Sequence, residues 1–191
     1  MIMSRLLAAF AALTLALAPA AFAADVTDPD NTLVIETDKG EILIEMLPQI
    51  APQHVARVKA LAAAGAYDGV AFHRVIDGFM AQTGDVQYGK AAADAREFNR
   101  VGSGGSDMAD VPAEFSSVPF MRGTVGAARS QSPDSANSQF FIMFAPGGFL
   151  NGKYTVWGQV LDGMDVVDAL TRGEPPRDPS RMTSVRLFSA K

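Results

Sequence analysis

Cysteine is absent from this 191-residue chain. That excludes disulfides, thiol nucleophiles, haem attachment through Cys, iron–sulfur clusters, Cys-based zinc sites and a lipid anchor on Cys. Histidine is scarce: His54 and His73 are the only two, which leaves little for a His-rich metal site. Basic charge is not in excess either. The formal net charge is −5, which disfavours a protein that grips a nucleic-acid phosphate backbone. No charge at all falls between Arg5 and Asp25, and no internal repeat or shift of composition divides the chain after it. What is plentiful is apolar: 48% of residues against 19% charged, a balance that argues against disorder and, at this length, for one domain.

The uncharged stretch reads as an address. Arg5 precedes an apolar run from Leu6 to Leu17, then Pro19, then Ala21-Phe22-Ala23, the small-x-small pattern of a signal-peptidase site. We expect residues 1–23 to be a cleavable secretory signal and residues 24–191 the mature domain, outside the cytoplasm and in the periplasm if the source has two membranes. The alternative is an uncleaved anchor, since the run is near the lower limit for a membrane span. A mature domain of this size buries roughly 70% of its unfolded surface, enough for a core without disulfides.

The mature chain reads as short strands with two helices. Leu33–Ile35 and Ile42–Leu47 flank Asp38-Lys39-Gly40, a hairpin pattern with Ile42, Ile44 and Met46 on one face. Pro52 suits a first helical turn, Val55, Val58, Leu61 and Ala62 recur at helical spacing, and Gly65 is a stop. Val70–Ile76, Gln139–Phe144, Tyr154–Leu161 and Val185–Phe188 read as strands. Residues 84–106 read as a long exposed loop with Gly102–Ser106 its most flexible part. Asp162 is placed to cap a second helix carrying Val166, Val167 and Leu170, with Gly173 just past its end. Pro175, Pro176 and Pro179 mark a loop. This pattern fits a barrel or a sandwich and does not choose between them.

Familiar chemical motifs are missing. No Gly-x-Ser-x-Gly elbow occurs between a strand and a helix. Gly102-Ser103-Gly104-Gly105-Ser106 lacks the lysine of a phosphate loop. His73 faces away from Arg74 and reads as structural rather than as a general base. Two runs are unusual. In Phe72-His73-Arg74-Val75-Ile76 an arginine alternates onto the face of Phe72 and Ile76, either snorkelling at a rim or serving a site. In Ser138-Gln139-Phe140-Phe141-Ile142, Gln139 shares a face with Phe141 and Met143, which by spacing alone is ordinary packing.

Tyr67-Asp68-Gly69, Phe72–Ile76, Gly78-Phe79-Met80 and Gln82 with Gly84-Asp85 resemble the signature of cyclophilin-type peptidyl-prolyl cis–trans isomerases. The likeness continues in order through Ala113-Glu114-Phe115, Arg122-Gly123-Thr124, Asn137–Ile142, Phe149-Leu150-Asn151 and Val156-Trp157-Gly158, and spans residues 32–188. Several blocks in sequence are more specific than any one motif. The resemblance implies a mainly β fold: a closed eight-stranded antiparallel β-barrel capped by two α-helices, with the substrate groove on its outer wall. It implies an isomerase without cofactor or metal, acting as a monomer on proline-containing segments of unfolded or folding exported proteins. It implies no nucleic-acid partner and no membrane insertion once the signal is cut.

Position by position, the resemblance assigns Arg74, Gln82 and Phe79 to catalysis. It assigns Met80, Ala128, Arg129, Gln139, Phe141, Phe149, Leu150 and Tyr154 to substrate binding, with Ala128 and Arg129 on the short strand that lies along the peptide. The chemistry suits the set. Amide resonance opposes rotation with a barrier of about 18–20 kcal/mol. Crossing it requires only that the twisted amide be bound better than either planar form. The prolyl nitrogen regains a lone pair in that state, and a fixed donor aimed there stabilises it selectively. Arginine stays charged and carries a rigid fork of donors.

Departures from the family are local. Phe149 stands where many eukaryotic members carry the Trp that accompanies tight cyclosporin binding. Tyr154 stands at the pocket-histidine position, Arg129 at a common Asn, Ala127 at a frequent Met and Gly126 at a frequent Ser. Residues 86–100 match poorly. Two other functions stay open: a non-catalytic proline-peptide binder or chaperone using the same groove, and a structural module of an envelope complex.

Overall fold

The computed structural model describes residues 26–190; the expected signal segment lies outside them. The first hairpin forms where the sequence places it, with β1 at Thr32–Thr37 and β2 at Gly40–Met46. The Thr37 hydroxyl closes the turn, accepting from the N–H groups of Lys39 and Gly40 at 3.0 and 3.1 Å. Leu33 pairs with Ile44 and Ile35 with Ile42, and all four are fully buried. The remaining strands are β3 (Arg74–Ile76), β4 (Met80–Thr83), β5 (Thr124–Ala127), β6 (Phe140–Met143), β7 (Val156–Asp162) and β8 (Met182–Leu187). They form one antiparallel sheet in the order β3-β4-β6-β5-β7-β2-β1-β8.

The expected closed barrel is corrected here: the sheet curls into a half-barrel and stays open. β3 and β8 share no ladder, only an isolated bridge between Ala71 and Arg181 just ahead of the two strands. The free edge of β3 is taken instead by Gly173. Val75 N–H donates to Gly173 O at 2.8 Å, and Gly173 N–H returns the bond at 2.9 Å. A closing ladder would need those same backbone groups.

Three local expectations also change. Val70–Ile76 is strand only from Arg74. His73 N–H donates to the carbonyl of Gln82, whose ladder partner is Arg74, so two residues oppose one as in a β-bulge. Alternation is broken there. Arg74 and Ile76 keep to the outer side, while Phe72 joins Val75 in the inner core. Asp162 ends β7 rather than capping α2 (Met164–Asp168). The capping position belongs to Gly163, at φ +85°, where a Cβ would meet the Glu41 carbonyl. That helix ends at Ala169, so Gly173 is not its stop.

Side-chain alternation produces two apolar clusters. The inner one joins Leu33, Ile35, Ile42, Ile44, Phe140, Ile142 and Trp157 to α1 (Pro52–Ala63) through Val55, Val58, Leu61 and Ala62. Trp157 meets Phe140 edge to face at 5.4 Å, and Tyr67 meets the same ring at 5.7 Å. The outer cluster contains Met80, Phe120, Phe141, Met143, Leu150 and Val156. No helix among the described residues is long and apolar enough to cross a membrane.

Helix α1 is finished at both ends. Gly65, at φ +62°, lets Ala66 N–H return to the Leu61 carbonyl at 2.9 Å. No side chain caps the start from Ala51. Glu114 does so from a remote loop, accepting from Gln53 N–H and His54 N–H at 3.0 Å each and meeting His54 Nδ1 at 2.7 Å. Burial pulls the His54 pKa below its ordinary 6.5, outweighing the opposing pull of Glu114, and its Nε2 is buried without a partner. The neutral ring therefore donates through Nδ1. Burial alone would raise the Glu114 pKa. The bonds from the His54 ring and the two N–H groups prevail and hold it below its ordinary 4.5.

The sign of the pH dependence follows. Below 6.5 the unfolded chain binds a proton at His54 that the folded chain resists, and below 4.5 the same holds at Glu114. Stability from His54 is complete above 6.5 and declines as pH falls toward its lower folded pKa. Stability from Glu114 is lost at lower pH, as its own depressed folded pKa is crossed. Denaturant melts should hold a constant midpoint above about pH 7 and lose stability already by about pH 5.5. His54→Gln should make the upper part of that decline shallower, leaving the share of His73, whose pKa burial also lowers. An unchanged midpoint across that range in the wild-type protein would refute the buried neutral histidine.

Candidate active site

The outer faces of β4 and β6 build the site. On β6, Phe140 and Ile142 point inward, so Phe141 must point out. On β4, Ala81 is inward, and Met80 and Gln82 are outward. The register sets Gln82 opposite Phe141 on one side and Arg74 on the other. A cavity of about 220 Å³ opens there, lined by Arg74, Phe79, Met80, Gln82, Ala128, Arg129, Phe141, Leu150 and Tyr154. Gly126 makes room behind it. A Cβ at that position would sit 2.5 Å from Phe141 and 2.6 Å from Phe120, whose rings stack at 5.6 Å.

Arg74 stands at the mouth of this pocket. Its Nε donates to Glu174 Oε1 at 2.5 Å, its Nη1 lies 3.9 Å from the Met80 sulfur, and its guanidinium carbon is 6.0 Å from the centre of the Phe79 ring. Gln82 Nε2 donates to Gln139 Oε1 at 3.0 Å, and Gln139 Nε2 donates to the carbonyls of Gly102 and Gly104 at 3.0 and 2.8 Å. Gln139 is thus a bridge between the β4–β6 wall and a remote loop, not plain strand packing.

The structure gathers the sequence-assigned residues with differences. Phe149 sits at the rim with its ring 5.5 Å from Phe79; at 62% exposure it does not line the cavity. Ala128 and Arg129 lie just past the end of β5 rather than within it, although Ala128 N–H still bonds Gln139 O at 3.0 Å. The Arg129 side chain stacks over Tyr154 at 4.3 Å and donates to the carbonyls of Ser130, Gln131 and Lys153. His73 is buried, and that burial lowers its pKa against the opposing pull of the Asp85 carboxylate. Among the described residues no group of three or more His, Asp or Glu is placed to hold a metal.

A second cavity, about 360 Å³, adjoins the first and shares Gln82, Ala128 and Arg129 with it. Its other walls include Gly102, Ser103, Gly104 and Asn137, none of which the sequence reading singled out as site residues. The supposed flexible stretch 102–106 is tied down. The fully buried carboxylate of Asp85 accepts from Gly102 and Gly104 N–H at 2.7 and 3.0 Å and from Gln87 and Tyr88 N–H at 3.1 and 2.9 Å. Asn137 Oδ1 takes Ser106 N–H at 2.8 Å. Gly104 is required because a Cβ there would run into Asp85 and Tyr88. The Gly84-Asp85 pair was visible in the sequence; the loop it would bind was not.

A family model described as cyclophilin type peptidyl-prolyl cis-trans isomerase/CLD matches residues 32–190. The chain belongs to the cyclophilin family. A Brucella suis protein named "Probable peptidyl-prolyl cis-trans isomerase" is 56% identical over 166 residues, covering 87% of this chain and 83% of that protein. A peptidyl-prolyl cis-trans isomerase of Acinetobacter baylyi is 35% identical over 175 residues, covering 83% and 87%. Among solved structures, a cyclophilin from Hirschia baltica superposes with a TM-score of 0.74 at 31% identity, covering 86% of this chain and 76% of that one. A Cryptosporidium parvum cyclophilin, crystallised in the presence of the dipeptide Ala-Pro, gives 0.70 at 25% identity, covering 82% and 98%. This cyclophilin is a peptidyl-prolyl cis–trans isomerase.

In this cyclophilin the Asp85 carboxylate is the anchor of the second cavity's wall. Asp85→Ala would leave four N–H groups unanswered, two of them on that wall. We expect a stability loss on the order of 3 kcal/mol and faster amide exchange at Gly102 and Gly104. Denaturation and hydrogen exchange on the purified variant measure both; unchanged exchange at the two glycines would rule out the anchoring role.

Proposed function

We propose that the isomerase works by transition-state stabilisation, with Arg74 as the donor to the prolyl nitrogen and no covalent intermediate. The observation that carries this reading is a permanently charged guanidinium at the mouth of an apolar pocket floored by Met80, Phe141 and Leu150. The pocket, with Phe79 and Tyr154 at its sides, suits a proline ring. Gln82 and Gln139, with the backbone at Ala128 and Arg129, suit the peptide on either side, and Phe149 adds apolar surface at the rim. The Ala-Pro dipeptide present with the Cryptosporidium parvum relative supports a proline-containing peptide as ligand.

The energetics favour a fixed donor over acid–base chemistry. The two X–Pro isomers differ by only about 0.5–1 kcal/mol, so the obstacle is the barrier and not the equilibrium. While the amide is planar, its nitrogen lone pair is delocalised and accepts poorly. In the twisted state the pair is localised, and a donor held in place strengthens its bond only then. Arg74→Ala should lower kcat/KM on a short X–Pro peptide by about a hundredfold or more. The side chain is part-exposed, so the fold should survive. Wild-type turnover by a folded Arg74→Ala protein would sink the proposed role. Loss of activity with peptide binding intact fits it. Purified wild-type protein that binds proline peptides without turning them over would point to a binding module.

We further propose that the clients are exported proteins, that the enzyme acts as a monomer, and that its site of action is the periplasm in a bacterium with two membranes. The support for export and for the periplasm is the basic start, apolar run and Ala21-Phe22-Ala23 of the first segment. Protein recovered from the extracytoplasmic fraction of its native cells should begin at Ala24 by mass spectrometry. A chain starting at Met1 and held in the membrane would contradict cleavage.

A further inference from the structure

The partner of Arg74 is Glu174, a residue that neither the sequence reading nor the family resemblance assigned to the site. Glu174 accepts the Arg74 Nε–H at 2.5 Å, with the two side chains 38% and 53% exposed. What distinguishes this pair from an ordinary surface ion pair is how its acid is delivered. Residues 172–174 grip the β3 edge three times in a row. Arg172 Nε bonds Asp77 Oδ1 at 3.1 Å. Gly173 exchanges both backbone bonds with Val75. Glu174 then reaches Arg74, running antiparallel to it. Each end of this grip is itself fixed. Arg172 also donates to the carbonyls of Leu170 and Asp168 at 2.7 and 2.9 Å and lies over the Phe144 ring at 4.4 Å. Gly173 takes φ +147°, and a Cβ there would stand 2.6 Å from Pro176 Cα. Glu174 is therefore carried on backbone paired to the strand of the arginine it binds.

We infer that Glu174 is a positioning residue for the isomerase reaction. Its carboxylate takes the Nε–H, which fixes the plane of the guanidinium and leaves the Nη donors for the twisted amide. The inference rests on the reading of Arg74 as the catalytic donor. Without Glu174 the guanidinium keeps only a weak sulfur acceptor at 3.9 Å and a ring centre at 6.0 Å, neither of which sets an orientation. A carboxylate also has an opposing effect, since its charge offsets that of the arginine. Both groups face solvent, where screening keeps that Coulombic effect small. Misplacing a catalytic group by about 1 Å costs far more in rate. Positioning wins on those magnitudes.

The test is steady-state isomerisation of an X–Pro peptide by the purified wild-type protein beside Glu174→Ala, Glu174→Gln and Arg74→Ala. It is paired with the ¹⁵N NMR signal of the Arg74 Nε–H, assigned by its loss in Arg74→Lys. Glu174→Ala should lower kcat about tenfold with KM within about twofold, and the Nε–H signal should broaden or exchange faster. Glu174→Gln keeps an acceptor oxygen and should restore most of the rate and the signal. A thermal midpoint equal to wild type would show that folding is not what changed. An unchanged or raised kcat in Glu174→Ala beside an inactive Arg74→Ala overturns the role of Glu174 alone. A change confined to KM also overturns it, making Glu174 a substrate contact. Full activity in Arg74→Ala is a separate result: it removes the catalytic assignment of Arg74, and this inference falls with it.

Discussion

Successive side chains on β4 and β6 must point to opposite faces of one sheet, and both faces of these strands are buried against something apolar. Phe140, Ile142 and Ala81 enter the inner core, while Phe141, Met143 and Met80 form the outer cluster. This double use explains why short strands suffice. The inner set binds the strands to β7 through Trp157 and to the turn after α1 through Tyr67, and the outer set is thereby held as a rigid apolar floor. A slip of one residue in the β4–β6 register would send Phe141 into the core and Phe140 out to the pocket. The pocket's shape is thus a consequence of the core's packing.

Much of this was legible because the signals are local. The hairpin at Asp38-Lys39-Gly40, the proline start and glycine stop of α1, and the apolar period along that helix each depend on a few neighbouring residues. The face of Arg74 was not legible from alternation, which groups it with Phe72: the 73–74 bulge breaks alternation so that Phe72 goes in while Arg74 stays out. A bulge has no residue signature of its own. The open edge of the sheet was hidden for a related cause. It depends on Gly173 occupying the β3 edge, next to a Glu174–Arg74 contact spanning 100 positions of sequence. Glycine misled in one further place. In 102–106 it reads as freedom, yet at Gly104 its lack of a Cβ is room for the Asp85 carboxylate. Most of the residues that the family blocks named line one cavity, whereas spacing alone left Gln139 as packing and Arg74 undecided.

Preorganisation is the theme that joins these contacts. An exposed arginine or glutamine has many rotamers, and fixing one during reaction costs entropy. Here that cost is met during folding. Gln139 is held by two carbonyls of a loop that is itself held by Asp85, and Gln82 is held by Gln139. The chain of bonds runs from a fully buried carboxylate, through the loop backbone and two half-buried glutamines, to the edge of the groove.

The same logic separates the site residues that the fold holds from those that it leaves at the surface. Met80, Phe141 and Leu150 are buried on both the pocket and the core side, so a change in their size would disturb packing as well as binding. Phe149 touches the Phe79 ring at 5.5 Å and is 62% exposed, so the packing of the fold constrains its identity little. Arg129 is the sharper case, because it brings a full charge to the boundary between the two cavities. The fold absorbs that charge locally: three backbone carbonyls accept from its Nη groups and the Tyr154 ring lies against its face. Arginine and tyrosine thus form a stacked pair at 4.3 Å. The tyrosine ring in turn meets Phe141 edge to face at 6.0 Å, so the Arg129 stack continues into the pocket wall.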